Sequence, residues 1–182
     1  MGKSDTPLLL SGEQAAYQAA EALLKDLAGN LVYLGDRIEA ASTMDLATLS
    51  YVYGAMAGFL QGARIAEVEG LDVAQYGRIV NEISPSFGAF FQHEGSVIQS
   101  GNFTITESPL RVSVAATQRI LQASKEARIN TEIPTLFADL LARADAASLG
   151  NEELAALIKV PRTRLAVGLC YHLSAMSSLG SS

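Results

Sequence analysis

The chain has no tryptophan, one cysteine and two histidines, and only 18% of its 182 residues are charged. A lone thiol, Cys170, makes no internal disulfide, so a disulfide scaffold is excluded and the reducing cytoplasm is the expected compartment. His93 and His172 lie far apart, and no Cys/His cluster has zinc-ligand spacing, so no metal site is expected. Thirteen Lys and Arg face nineteen Asp and Glu, a net charge of −6 without a basic stripe. Nucleic-acid binding rests on neutralised phosphates, and this balance argues against it. No G-x-G-x-x-G turn, phosphate-binding loop, G-x-S-x-G elbow or H-E-x-x-H helix occurs. The N-terminus, with one Lys and Leu8-Leu9-Leu10, is too short and weak for a signal peptide. No solenoid-period repeat is visible.

What is abundant is apolar: hydrophobic residues make up 49%. A chain of this length buries a core without disulfides or metals. Its charge content is below the roughly 25% usual for soluble domains. Apolar surface must therefore be covered, in a wide core or in an oligomer interface.

Residues 7–35 read as strand, helix, strand. Leu8 to Leu10 form an apolar run stopped by Ser11-Gly12, and Ser11 is placed to cap a helix entered through Glu13-Gln14. Ala19, Leu23, Leu24 and Leu27 supply an apolar stripe, and Gly29-Asn30 suits a left-handed helix end. Leu31 to Leu34 form the second strand. So small an α/β unit cannot cover its own parallel sheet, and reads as the last piece of a larger domain.

From about residue 39 to 69 the period is helical, without proline, and 46–63 carries no charge. That length borders on a membrane span, but Thr48, Ser50, Gln61 and two tyrosines favour a helix running through a core. Gly54, Gly58 and Gly62 share one face and suggest close approach of another helix backbone. Gly70 ends this helix and Asp72 caps the next, 73–83; Ser84-Pro85 interrupts before a further helix, 87–100. Gly101 to Thr104 break that helix. Ser108-Pro109 starts another over 110–128. Asn130 to Pro134 connect to helices 134–149 and 152–160, split by Gly150-Asn151. Residues 165–182 lack Lys, Arg, Asp and Glu, and their end, Ser177-Ser178-Leu179-Gly180-Ser181-Ser182, reads as a flexible tail.

Asp45 sits at the edge of the charge-free helix, with Tyr53 two turns on and about 80° round. A carboxylate facing an apolar cleft exchanges protons near neutrality or stabilises a cationic intermediate. The plainer alternative makes Asp45 a helix-start residue favoured by the dipole, and Tyr53 a core ring.

The order of Ser11-Gly12, Ala16-Tyr17, Leu27-Ala28-Gly29, Tyr33-Leu34-Gly35, Ala40-Ala41, Asp45-Leu46-Ala47, Tyr53-Gly54 and Gly58-Phe59-Leu60 resembles NADPH-dependent imine reductases and reductive aminases. These belong to the 6-phosphogluconate / 3-hydroxyisobutyrate dehydrogenase superfamily. Gly101-Asn102-Phe103 and Asn130-Thr131-Glu132-Ile133-Pro134 continue the match, which covers residues 8–160. The resemblance implies a mainly α fold, a 6-phosphogluconate dehydrogenase C-terminal-like helical domain with a long central helix, preceded by a strand-helix-strand remnant of a Rossmann domain. On this reading 1–36 ends the cofactor domain, 37–160 is the all-α dimerisation and substrate domain, and 161–182 is a tail.

The resemblance further implies a homodimer, often interlocked, with its cleft between one subunit's cofactor domain and the other's helical domain. The intact enzyme uses NADPH on a small imine or carbonyl substrate, without nucleic-acid or membrane partners. Asp45 falls where the family carries a proton donor or iminium-stabilising acid, and Tyr53 where many members carry a cleft tyrosine. Related hydroxyacid dehydrogenases use a lysine in this helix, and here none occurs between Lys25 and Lys125. Most of the cofactor domain is missing, so no cofactor and no activity are expected of this chain alone. The alternative is a non-catalytic helical interaction module.

Overall fold

The computed structural model describes residues 7–160. The expected tail, 161–182, with Cys170 and His172, lies outside the described residues. Strand β1 (Pro7–Leu10), helix α1 (Gln14–Leu27) and strand β2 (Asn30–Tyr33) come first. The strands pair in parallel, Leu8 opposite Leu31 and Leu10 opposite Tyr33. Helix α1 is the crossover that parallel pairing demands. Tyr33 stacks on Tyr17 with centroids 4.6 Å apart. Its hydroxyl lies 2.7 Å from the Gly12 carbonyl and 2.8 Å from Asp36 Oδ1, with one proton to donate. Burial and the Asp36 carboxylate push that phenol up to about 12.

Helix α2 (Ala40–Val68) follows, then α3 (Val73–Ser100), α4 (Leu110–Glu126), α5 (Glu132–Ala146) and a 3-10 segment, Leu154–Lys159. The described chain is mainly α, and none of its helices is long and apolar enough to cross a membrane. It divides into two compact units. One comprises Met1–Phe87 with Arg119–Leu136; the other comprises Gly88–Gln118 with Phe137–Ser182.

Several local expectations change. Ser11 does not cap α1, whose N-cap is Glu13 without a side-chain bond. Its Oγ instead accepts from the Ala41 amide at 3.1 Å and donates to the Ile38 carbonyl at 2.8 Å, so it caps α2 across thirty residues of sequence. Gly29 takes no left-handed conformation; α1 ends through an extended Ala28, because the chain turns at once into β2. Gly70 and Gly101 do end their helices at φ 73° and 69°. Asp72 Oδ1 accepts from the Ala74 amide at 2.8 Å, as expected of a cap.

Pro85 does not split its helix: α3 runs unbroken through it. Proline removes one amide from the ladder. Around it, Ser84 Oγ donates to the Val80 carbonyl and Ser86 Oγ to the Ile83 carbonyl, each at 2.6 Å. The amide that proline lacks is the one that would reach the Asn81 carbonyl, and the two hydroxyls bond other carbonyls of the same stretch. In place of the expected helix 152–160 there is a 3-10 segment, Leu154–Lys159. Helix α5 begins at Glu132, two residues before Pro134, because proline is tolerated in a first turn whose amides have no helical acceptor. The Glu132 amide finds Asn130 Oδ1 at 2.8 Å.

The charge-free helix α2 was expected to run through a core. Among the described residues it does not: Ala66 is its buried residue, while Tyr53 is 71% and Leu46 67% exposed. An apolar pattern on all sides states that cover is needed, not that the same chain provides it.

In the second unit the core is Leu110, Leu141, Ala144, Ala156 and Val160, with Phe103 and Leu157 packed against it. The first amides of α4 are satisfied by backbone: Leu110 N–H reaches the Glu152 carbonyl at 2.9 Å and Arg111 N–H the Gly150 carbonyl at 3.1 Å. This pairing brings Glu153 under the turn that precedes α4.

Candidate functional site

Asp45 lies in the second turn of α2, past the first turn where the macrodipole acts, and no acid occupies that first turn. The helix-start reading of Asp45 therefore has no support in its position. Its side chain is exposed, and its carbonyl accepts from Thr48 Oγ1 at 2.9 Å. Tyr53 is exposed two turns further on, about 12 Å along the axis and on a neighbouring flank. The chain does not bring the two into one closed site.

Tyr76, on the unit-one part of α3, packs on Phe59 with centroids 5.2 Å apart and donates to the Phe59 carbonyl at 3.3 Å. The expected backbone approach at the glycine face is met at Gly62 by this aromatic side chain instead. Gly54 and Gly58 face nothing within 4 Å. Beyond Tyr76, a cavity of about 670 Å³ is lined by Leu60, Gln61, Arg64, Ile129, Asn130 and Ile133, among others. Gln61 Nε2 donates to the buried Ser124 Oγ at 3.0 Å beside it. Asp45 and Tyr53 do not line this cavity.

In the second unit, sequence reasoning missed a cluster of titratable groups. Glu153 is fully buried. Its Oε1 accepts from the Thr106 amide, from Thr106 Oγ1 at 2.8 Å and from the Glu107 amide at 2.8 Å; Oε2 accepts from Ser108 N–H at 3.3 Å. Burial pushes this carboxyl up, but the amides of Thr106, Glu107 and Ser108 and the Thr106 hydroxyl outweigh it and hold it down to about 2. Glu94, buried on α3, accepts from the Ala155 amide at 2.7 Å through Oε2. Burial raises its pKa, with the Glu153 charge adding to the effect and the Ala155 amide opposing it. His93 Nε2 lies 3.2 Å from Thr106 Oγ1 and 3.7 Å from Glu153 Oε1. The available signals were the Glu152-Glu153 pair entering the apolar run 154–158 and a His-Glu pair within α3.

A dinucleotide cradle needs amides and positive potential at a helix N-terminus. The β1–α1 turn places Glu13 at that terminus, a charge that repels a pyrophosphate. The β1–α1 turn therefore does not fit a pyrophosphate by itself.

Residues 38–163 match the family model described as NADPH-dependent reductive aminase-like, C-terminal domain. The chain is 29% identical over 164 residues to an NADPH-dependent reductive aminase of Aspergillus oryzae, covering 87% of this chain and 55% of that relative. It also resembles an imine reductase structure from Pseudomonas sp., at 27% identity and TM-score 0.76, over 87% of this chain and 55% of that one. A reductive aminase from Aspergillus terreus, solved with NADPH and ethyl levulinate, is similar at 27% identity and TM-score 0.74, over 84% and 53%. The chain thus spans about half the length of these relatives.

Proposed function

The chain belongs to the NADPH-dependent reductive aminase-like C-terminal domain family, and on that premise we propose that it is the helical substrate-cleft and dimerisation part of an NADPH-dependent oxidoreductase acting on C=N bonds. Residues 1–36 are the end of its cofactor-binding domain and 37–160 the helical domain. Two copies pair, and α2 of one lies beside the substrate bound against the other's cofactor domain. The observation that carries this reading is α2 itself: charge-free from 46 to 63, exposed within this chain, with an acid at one end.

Asp45 then holds a proton toward the substrate nitrogen, or offsets the charge of an iminium, once the second copy removes water from around it. Tyr53 lines the same cleft and orients the substrate. NADPH supplies the reducing chemistry in the intact protein. On this reading the 182-residue chain, whose sequence carries no G-x-G-x-x-G turn, does not turn over by itself. The test joins a family cofactor domain in front of residue 1 and follows NADPH oxidation with a cyclic imine. Asp45→Asn is expected to lower kcat by about 100-fold or more, the usual range for a general acid. Tyr53→Phe is expected to act mainly on KM. Equal turnover by the Asp45→Asn variant and its parent would remove Asp45 from the proton-handling role, and no imine-dependent oxidation by either would instead favour a non-catalytic assembly module.

A further inference from the structure

We propose that His93, Glu94 and Glu153 are the ligand set of one divalent metal ion of the zinc class, held inside the second unit. One donor atom from each residue lies within 4.8 Å of the others, and His93 Nε2 is already 3.7 Å from Glu153 Oε1. Zinc bonds of about 2.0–2.2 Å in a tetrahedron place ligand atoms about 3.4 Å apart. To bind, the cluster contracts and Glu153 Oε1 exchanges one of its three hydrogen bonds for the ion, while His93, whose side chain is 32% exposed, has the freedom to move in.

The second, independent observation is Glu94. It is 7% exposed, and its Oε1 has no hydrogen-bond partner among the described residues. A buried carboxylate oxygen without a donor is costly. A proton there exchanges an orphan acceptor for an orphan donor. A divalent cation satisfies the oxygen and balances both buried carboxylates. The donors choose the ion: one imidazole nitrogen with carboxylate oxygens suits zinc, whereas calcium and magnesium prefer oxygen throughout and six or more ligands.

The surroundings already orient these ligands, as outer-shell partners do around metals. The 106–108 amides hold Glu153, and the Ala155 amide holds Glu94 Oε2. Because Thr106 Oγ1 donates to Glu153, it accepts a hydrogen bond from His93 Nε2–H in the metal-free chain. If Nε2 is the ligand atom, the neutral ring carries its proton on Nδ1 instead, with no net proton released. The ion would pin the unit-two end of α3 to the 3-10 segment, and this holds whether or not the reductase reading does.

The test uses the full chain, stripped with a chelator and titrated with zinc by calorimetry and thermal melting. One zinc per chain is expected, with a melting temperature that rises with zinc by mass action. Glu94→Gln and His93→Gln are each expected to weaken binding about tenfold or more, while metal-free melting stays close to the parent's. Should Glu94→Gln fail to fold, His93→Gln at its half-buried position decides alone. No zinc-dependent rise in the parent, or parent-like zinc binding by a folded variant, would overturn the proposal.

Discussion

Tyr76 lies against α2 at Gly62: a Cβ at that glycine would stand 2.8 Å from ring carbon Cζ and would collide with the hydroxyl. Gly62→Ala therefore forces the ring away from Phe59 and from its hydrogen bond to the Phe59 carbonyl. An aromatic pair and one hydrogen bond are worth about 2 kcal/mol together, and helix propensity returns about 1 kcal/mol. The expected result is a net destabilisation of about 1 kcal/mol in urea unfolding. A stabilised variant would show that the ring relocates without loss.

That glycine marks how far sequence pattern reaches. The charge-free run and the Gly70 stop delimited α2 to within a residue or two, because period and breakers are local signals. Pro85 misled, since proline removes a single bond from the ladder and the helical pattern continues on both sides of it through the 28 residues of α3. The 106–108 clamp was not legible at all. Glu153 meets its donors across 45 to 47 residues of sequence, and no periodicity encodes such a pairing. Asp45 stood out because an acid beside eighteen uncharged positions is a local contrast; what covers it belongs to tertiary or quaternary structure.

Ser11 gives a second test, because it serves α2 rather than the helix that follows it. Ser11→Ala leaves the Ala41 amide without its acceptor and the Ile38 carbonyl without its donor. Loss of a cap costs about 1 kcal/mol, and Ser11→Thr should restore most of it. Amide exchange at Ala41 is the direct measurement, with faster exchange expected in Ser11→Ala. Unchanged protection there would remove Ser11 from the capping role.

The two buried carboxyls make opposite contributions to the pH dependence of the metal-free chain. Glu153 is held at about 2 against an ordinary 4.5, so its stabilisation is complete above about 4.5 and is lost as pH falls toward 2. Glu94 is raised, so its contribution is complete below its ordinary value and is lost as pH rises through the elevated one. Urea unfolding with a chelator present should show Glu153→Gln flattening the acid limb. Glu94→Gln should flatten the opposite limb. Glu153→Gln should also cost about 3 kcal/mol at neutral pH, because charge-assisted bonds to the 106–108 turn are weakened together. Parallel pH profiles for parent and variants would contradict the assignment.

The exposed faces of α2 carry the last prediction. Val52 is 50% and Leu60 58% exposed in the single chain, on a helix that lacks charge for eighteen positions. If a second copy supplies the cover, a carboxylate placed there must be buried on association without a partner. Val52→Glu should then leave the folding of the isolated chain nearly unchanged, as exposed substitutions do. It should weaken self-association by about 3 kcal/mol, more than a hundredfold in Kd. Gly54→Ala and Gly58→Ala sharpen the comparison, since nothing lies within 4 Å of either glycine in one chain. Each should stabilise the unassociated chain by up to about 1 kcal/mol through helix propensity. Where a partner helix rests on that face, the added methyl group separates the two and the dimer weakens even as the monomer gains. Sedimentation across a concentration series reads both effects. A parent that stays monomeric, or a Val52→Glu variant that dimerises equally well, would leave α2 in need of a different cover.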